Sequence, residues 1–118
     1  MRDWKDLRQY FRAMADPRRM RMVAEISTTP DIGVKELCLR LKASQPLVSW
    51  HLRVLVRCGL VTTRRRGREV NCTVNRHAFS AYQKRLGQLL GEATVEKAVP
   101  AEDAVPRIVR APSLGVKA

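Results

Sequence analysis

Along residues 3–14 the large apolar side chains fall at Trp4, Leu7, Tyr10, Phe11 and Met14, one stripe of a helix. Asp3 is its expected N-cap, with Asp6 three residues on. "ADPRRMRMVAEIS" opens a second helix. Asp16 caps it, and Pro17 takes the first helical position, where a missing N–H costs nothing. Met20, Val23, Ala24 and Ile26 are expected to face inward. "TTPDIG" breaks the pattern with its Pro and Gly. Residues 34–42 then place Val34, Leu37, Cys38 and Leu41 on one face of a short third helix. After a turn at "AS", Ser44 caps a fourth helix over about residues 45–58. Gln45 and Pro46 fill its first turn, and Val48, Leu52 and Leu55 form its core stripe. Ser44, Gln45, Ser49 and Arg53 lie on its other side, and Gly59 ends it.

The period then changes. "LVTTRRRGREVNCTVN" reads as two short strands around a turn at Gly67, with Val61, Thr63, Val70, Cys72 and Val74 alternating. Residues 77–92 return to helix through Phe79, Tyr82, Leu86, Leu89 and Leu90. Beyond them the chain has three of its six prolines, no aromatic residue and no clear period, the pattern of a flexible tail. The expected architecture is mainly α with a small β-hairpin, in the order α-α-α-α-β-β-α. A helix pair joined by a short turn is a helix-turn-helix unit, and a basic hairpin after it is a wing. One winged helix-turn-helix domain is expected over residues 1–97, with the tail at 98–118.

Charge narrows the function. The 118 residues carry a formal net charge of +12, which favours a polyanionic partner. Five arginines (Arg64, Arg65, Arg66, Arg68 and Arg76) against Glu69 put +4 on residues 61–76. No run approaches the roughly 20 apolar residues of a membrane span. The N-terminus lacks the apolar stretch of a signal peptide, so a cytoplasmic protein without a membrane partner is expected. Cys38, Cys58 and Cys72 are odd in number, widely spaced and without a C-x-x-C, which fits reduced thiols rather than a disulfide framework. No nucleophile elbow, glycine-rich phosphate loop or carboxylate pair is present, so an enzyme is not expected. No cofactor and no metal site are expected either.

A helix fits the major groove of DNA and meets base edges with its N-terminal residues. Ser44, Gln45 and Ser49 are short hydrogen-bonding residues of the required kind, and Arg53 follows Ser49 by one turn on the same side. Pro46, Trp50 and His51 share this stretch and complete the expected contact set on the helix. Arg64, Arg65, Arg66 and Arg68 would reach the backbone or the minor groove from the wing. An alternative of another class is an RNA-associated basic winged-helix protein. RNA readers show exposed aromatics to stack on unpaired bases, and only Trp50 falls outside the apolar stripes here.

"SQPLVSWHLRVLVRCGLV" followed by "RRRGREVNCTVN" resembles the ArsR family of bacterial winged-helix repressors. The resemblance rests on Ser49, His51 and Leu52, on Gly59, Leu60 and Val61, and on Gly67 and Arg68 in the wing. "MADPRRMRMVAEI" is similar to the family's second helix, and the likeness runs from about Tyr10 to Leu90. It implies a homodimer formed by the first and last helices on an inverted-repeat operator in double-stranded DNA. Leu7, Phe11, Tyr82, Leu86 and Leu89 would supply the apolar faces.

Such repressors often respond to a metal or thiol effector, and the family's sites are incomplete here. Cys38 matches the first cysteine of a Cys-x-Cys site, but Arg40 stands at the second. Cys58 matches the second of two cysteines four apart, but Val54 stands at the first. A zinc site on the last helix aligns with Asn75, His77, Gln88 and Gly91, of which only His77 is a ligand type. Glu92 is one residue off and points about 100° away around a helix. Each cysteine is expected to serve as a small core residue, and the effector is unknown. A thiol- or metal-responsive version using Cys38 or Cys58 stays open.

Overall fold

The computed structural model describes residues 4–91. Five helices and three strands follow in the order α1 (Lys5–Met14), α2 (Pro17–Thr28), β1 (Ile32–Gly33), α3 (Val34–Leu41), α4 (Gln45–Arg57), β2 (Val61–Arg66), β3 (Glu69–Val74) and α5 (Arg76–Leu90). The expected tail, its boundary at 97/98, Asp3 and Glu92 lie outside the described residues. Backbone contacts divide the chain after Tyr82, within α5. Core and candidate site both belong to the first unit, Met1–Tyr82. Of the second, only residues 83–91 are described.

Local chemistry accounts for the helix boundaries. Asp16 caps α2 by accepting from the Arg18 N–H at 2.8 Å, and Pro17 sits in its first turn. Ser44 caps α4 by accepting from Leu47 N–H at 3.4 Å. Asn75 caps α5, its side-chain oxygen accepting from Ala78 N–H at 3.1 Å. At the far end of α4, Gly59 N–H donates to Val56 O at 2.9 Å and Leu60 N–H to Leu55 O at 3.1 Å. This pair of bonds needs a left-handed residue, and Gly59 supplies it at φ 85°. Lys42 fills the same role after α3 at φ 54°.

The core is built from α2, α3, α4 and the sheet. Met22, Ile26, Leu37, Val48, Leu55, Leu60, Val61 and Cys72 are all fully buried. Leu60 and Val61 lead the chain out of α4 into β2, so the strand is anchored at its root. The rest of β2 is exposed and runs out as a wing. β2 pairs antiparallel with β3 from Val61–Val74 to Arg66–Glu69. The two residues between them are Gly67 and Arg68, and only Gly67 has a positive φ, the pattern of a type II′ turn.

Three expectations are corrected. The sheet has three strands in the order β1-β3-β2, because Ile32 and Gly33 in the expected break pair with Cys72 and Asn71. The inward face of α2 is Arg19, Met22 and Ile26, whereas Met20 is 45 % exposed and Ala24 is also exposed. A buried arginine shifted that face. Trp4 is not part of the α1 stripe. It stands at the N-cap, without a side-chain cap bond, and is exposed.

Candidate nucleic-acid interface

The polar side of α4 faces the wing across a groove of 350 Å³. Gln45, Ser49 and Arg53 line it from the helix, and Thr63, Arg68 and Glu69 from the hairpin. The helix trio is spaced at i, i+4 and i+8, so all three share a face. Ser44, Gln45 and Pro46 are exposed, Ser49 is half-buried and Arg53 is exposed. Helix and wing thus converge on one groove. Lys35 of α3 joins this groove and, with Lys42, a second open groove that also includes Gln45. Neither lysine was singled out from sequence. Its signal, a basic residue on the outer face of the preceding helix, is common to most solvated helices.

The wing arginines divide into two groups. Asp31, left-handed at φ 66° just before β1, accepts from Arg64 Nη2 at 3.4 Å and lies 3.5 Å from Arg66 Nη2. Its own carbonyl accepts from Asn71 Nδ2 at 2.9 Å, tying this turn to β3. Alternation along β2 puts Arg65 on the opposite face. Among the described residues, Arg53, Arg65 and Arg68 have no ion-pair partner.

His51 does not belong to the outer surface. It is buried at 4 % exposure, and its Nδ1 meets Arg19 Nη1 at 3.0 Å. Trp50, by contrast, is 53 % exposed. Its ring stands edge-on to His51 with centroids 5.1 Å apart, and the Arg19 guanidinium lies 5.8 Å from the ring centre. Burial lowers the His51 pKa, Asp16 opposes this, and Arg19 and Arg18 add to it.

The expected pairing residues also separate. Leu7 is buried within the chain itself and has no surface left for a partner, which removes it from that set. Tyr82 is half-buried: its ring stacks on Tyr10 with centroids 4.4 Å apart, and its hydroxyl donates to Cys58 O at 2.7 Å. Phe11 is exposed. In the second unit Leu86 is half-buried and Leu89 exposed.

Cys58 and Cys72 are buried and Cys38 is partly so. Burial pushes all three thiols up, Cys72 to about 11. Among the described residues, no three His, Cys, Asp or Glu side chains come together as a metal would need. No helix among them is long and apolar enough to cross a membrane.

The sequence model of a family described as bacterial regulatory protein, arsR family, matches residues 16–63, from the cap of α2 into β2. The chain is 35 % identical over 69 residues to the arsenical resistance operon repressor of Escherichia coli K12, covering 58 % of this chain and 59 % of that protein. It is 42 % identical over 62 residues to the HTH-type transcriptional repressor SmtB of Mycobacterium tuberculosis, covering 52 % and 45 %. The chain therefore spans about half the length of these curated relatives. Among solved structures, an ArsR-like transcriptional regulator from Rhodococcus sp. RHA1 superposes with a TM-score of 0.70 at 25 % identity, over 86 % of this chain and 94 % of that one. HlyU from Vibrio cholerae superposes with a TM-score of 0.58 at 30 % identity, over 71 % and 90 %.

Proposed function

Because the chain belongs to the arsR family of bacterial regulatory proteins, we propose that it is a transcriptional repressor that binds double-stranded DNA as a homodimer on an inverted-repeat operator. In this reading α4 enters the major groove, with Ser44, Gln45 and Ser49 at the base edges and Arg53 on a phosphate or guanine. The wing lies along the backbone or adjacent minor groove through Arg65 and Arg68, with Arg64 and Arg66 beside Asp31. Phe11 and Leu89 are exposed apolar residues of the kind a second copy would cover.

The observation that carries the reading is the shared groove. Gln45, Ser49 and Arg53 face Thr63 and Arg68 across it, which places hydrogen-bonding and cationic groups together on a protein of net charge +12. DNA recognition needs base-edge donors and acceptors flanked by phosphate-binding cations.

The test is fluorescence anisotropy of reduced protein on duplex DNA from just upstream of its own gene. An unrelated duplex and a single strand are run beside it across a salt series. Tight binding confined to the upstream duplex, at two protomers per site, is expected. Ser49→Ala should then weaken it by roughly 1–3 kcal/mol and relax sequence choice. Equal binding to all three would remove the operator reading. Preference for the single strand would favour RNA, the reading that exposed Trp50 supports.

A further inference from the structure

Arg19 is a cation with only 9 % of its surface exposed. Its Nε donates to Ala13 O at 2.7 Å and its Nη2 to Arg12 O at 3.4 Å. One guanidinium thus takes up carbonyls at the end of α1 while Nη1 reaches His51 in the middle of α4 at 3.0 Å. The same group lies over Trp50, the exposed aromatic next to Ser49.

The protonation state of His51 follows from its partner. Arginine only donates, so Nδ1 must accept. That requires a neutral imidazole with its proton on Nε2. The Nε2 atom is buried and has no partner among the described residues. A second proton would have to go on Nδ1. It would set N–H against N–H and cation against cation, both largely out of water, where such repulsion is strongest.

The charged groups that act on His51 are Asp16, Arg19 and Arg18, all from α2 and its cap. Asp16 is the one anion among them, and it lies 3.9 Å from Arg19. α3 and β2 also pack on α4, and among the described residues neither supplies a charge that acts on this imidazole.

We propose that Arg19 and His51 are positioning residues for the recognition helix, joined by a bond that exists only while His51 is neutral, so that acidification unseats α4 and releases DNA. This rests on the DNA-binding reading above. Protonation breaks the tie between α2 and α4, and Trp50 loses the guanidinium that braces it. The direction is fixed by the burial of the ring. Its folded pKa lies below the ordinary 6.5, so the bond is fully present above that value and is lost as pH falls through the folded pKa.

The test measures operator affinity by anisotropy from about pH 7.5 down to about pH 5. Wild type should lose at least about tenfold over this range. The chain has two histidines, so His77→Gln is the control and should keep the wild-type profile. In His51→Asn a side-chain oxygen takes the place of Nδ1 and cannot titrate. Normalised to its own affinity near pH 7.5, this variant should change less than about threefold. A wild type without acid loss, or a His51→Asn protein that keeps it, overturns the proposal.

Should His51→Asn fail to fold, Trp50 emission reports the same event in a Trp4→Phe background. An imidazolium 5.1 Å from the indole quenches it, and the quenching midpoint should coincide with that of DNA release. Separate midpoints overturn the coupling. Failure of the parent reading looks different: no operator binding at any pH, with Trp50 emission still titrating.

Discussion

Arg66 and Arg68 stand two residues apart on the wing, yet they should respond differently to removal. Arg68 has no ion-pair partner among the described residues and lines the groove opposite Ser49, whereas Arg66 lies 3.5 Å from Asp31. Each neutralised phosphate contributes about 0.9 to the slope of log K against log salt. The proposed two-fold dimer would carry the substitution twice, so Arg68→Ala should flatten the slope by about 1.8. Between 50 and 200 mM salt, wild type should therefore lose about 12-fold more affinity than Arg68→Ala, whatever the sequence of the duplex. Arg66→Ala should flatten the slope by only about half as much, because in wild type Asp31, shared with Arg64, already offsets part of that side chain's charge. Asp31→Asn should do the reverse and steepen it. Asparagine tolerates the left-handed backbone, and both Arg64 and Arg66 become available to phosphate. The assay is anisotropy over five or so salt concentrations for each variant. An unchanged slope in Arg68→Ala would remove the wing from the interface. Equal flattening by Arg66→Ala and Arg68→Ala would show that Asp31 gives up Arg66 on DNA, as an exposed ion pair worth under about 1 kcal/mol can.

Gly59→Ala meets no steric obstacle, since nothing lies within 4 Å of the added Cβ, but the backbone stays at φ 85°. A loss of about 1–2 kcal/mol in urea unfolding is expected, and a neutral result would mean that the turn relaxes. Tyr82→Phe removes the donor to Cys58 O and should cost about 0.5–1.5 kcal/mol in the same assay. No loss there would mean that water replaces the hydroxyl.

Most of the helical frame was legible because caps and periodicity agree. Asp16, Pro17, Ser44 and Gly59 mark boundaries by their own chemistry, and the Val48–Leu52–Leu55 stripe is uninterrupted. What stayed hidden lacked a local signal. β1 is two residues long, too short to show a period, and it exists only because β3 offers an edge to pair with. The inward turn of Arg19 is invisible for the opposite reason. A charged residue reads as solvent-facing, and only the carbonyls of Arg12 and Ala13 at the end of α1, six or seven residues back, make burial tolerable. The apolar stripe drawn for α2 consequently came out rotated. His51 was misplaced along with it. No neighbour along the chain marks a partner for it, because the partner is 32 residues away in sequence. In the candidate site, the helix face was readable from spacing. The sorting of the wing arginines by Asp31 was not, since it depends on the β1 turn.

The three thiols bear on whether this protein answers to an oxidant or a soft metal. Thiolate is the reactive and metal-binding form, so both responses need a thiol pKa near or below ambient pH and a path to solvent. Cys72 fails on both counts: it is fully buried, and burial, with a smaller push from Asp31, raises it to about 11. At pH 8 only about 0.1 % of it would be thiolate, against roughly a quarter for an ordinary cysteine. Cys58 is also buried, raised by burial, and donates to Leu55 O at 3.5 Å. Cys38 is raised too, yet it is partly exposed and opens on the groove beside Lys35 and Lys42. Iodoacetamide at about pH 8 should therefore modify Cys38 first. Cys58 and Cys72 should react only at the rate of unfolding, read as successive mass additions and peptide mapping. Cys72 labelling as fast in the native protein as in urea would refute its burial. Equal protection of all three would confine any thiol response to a state in which the core has opened.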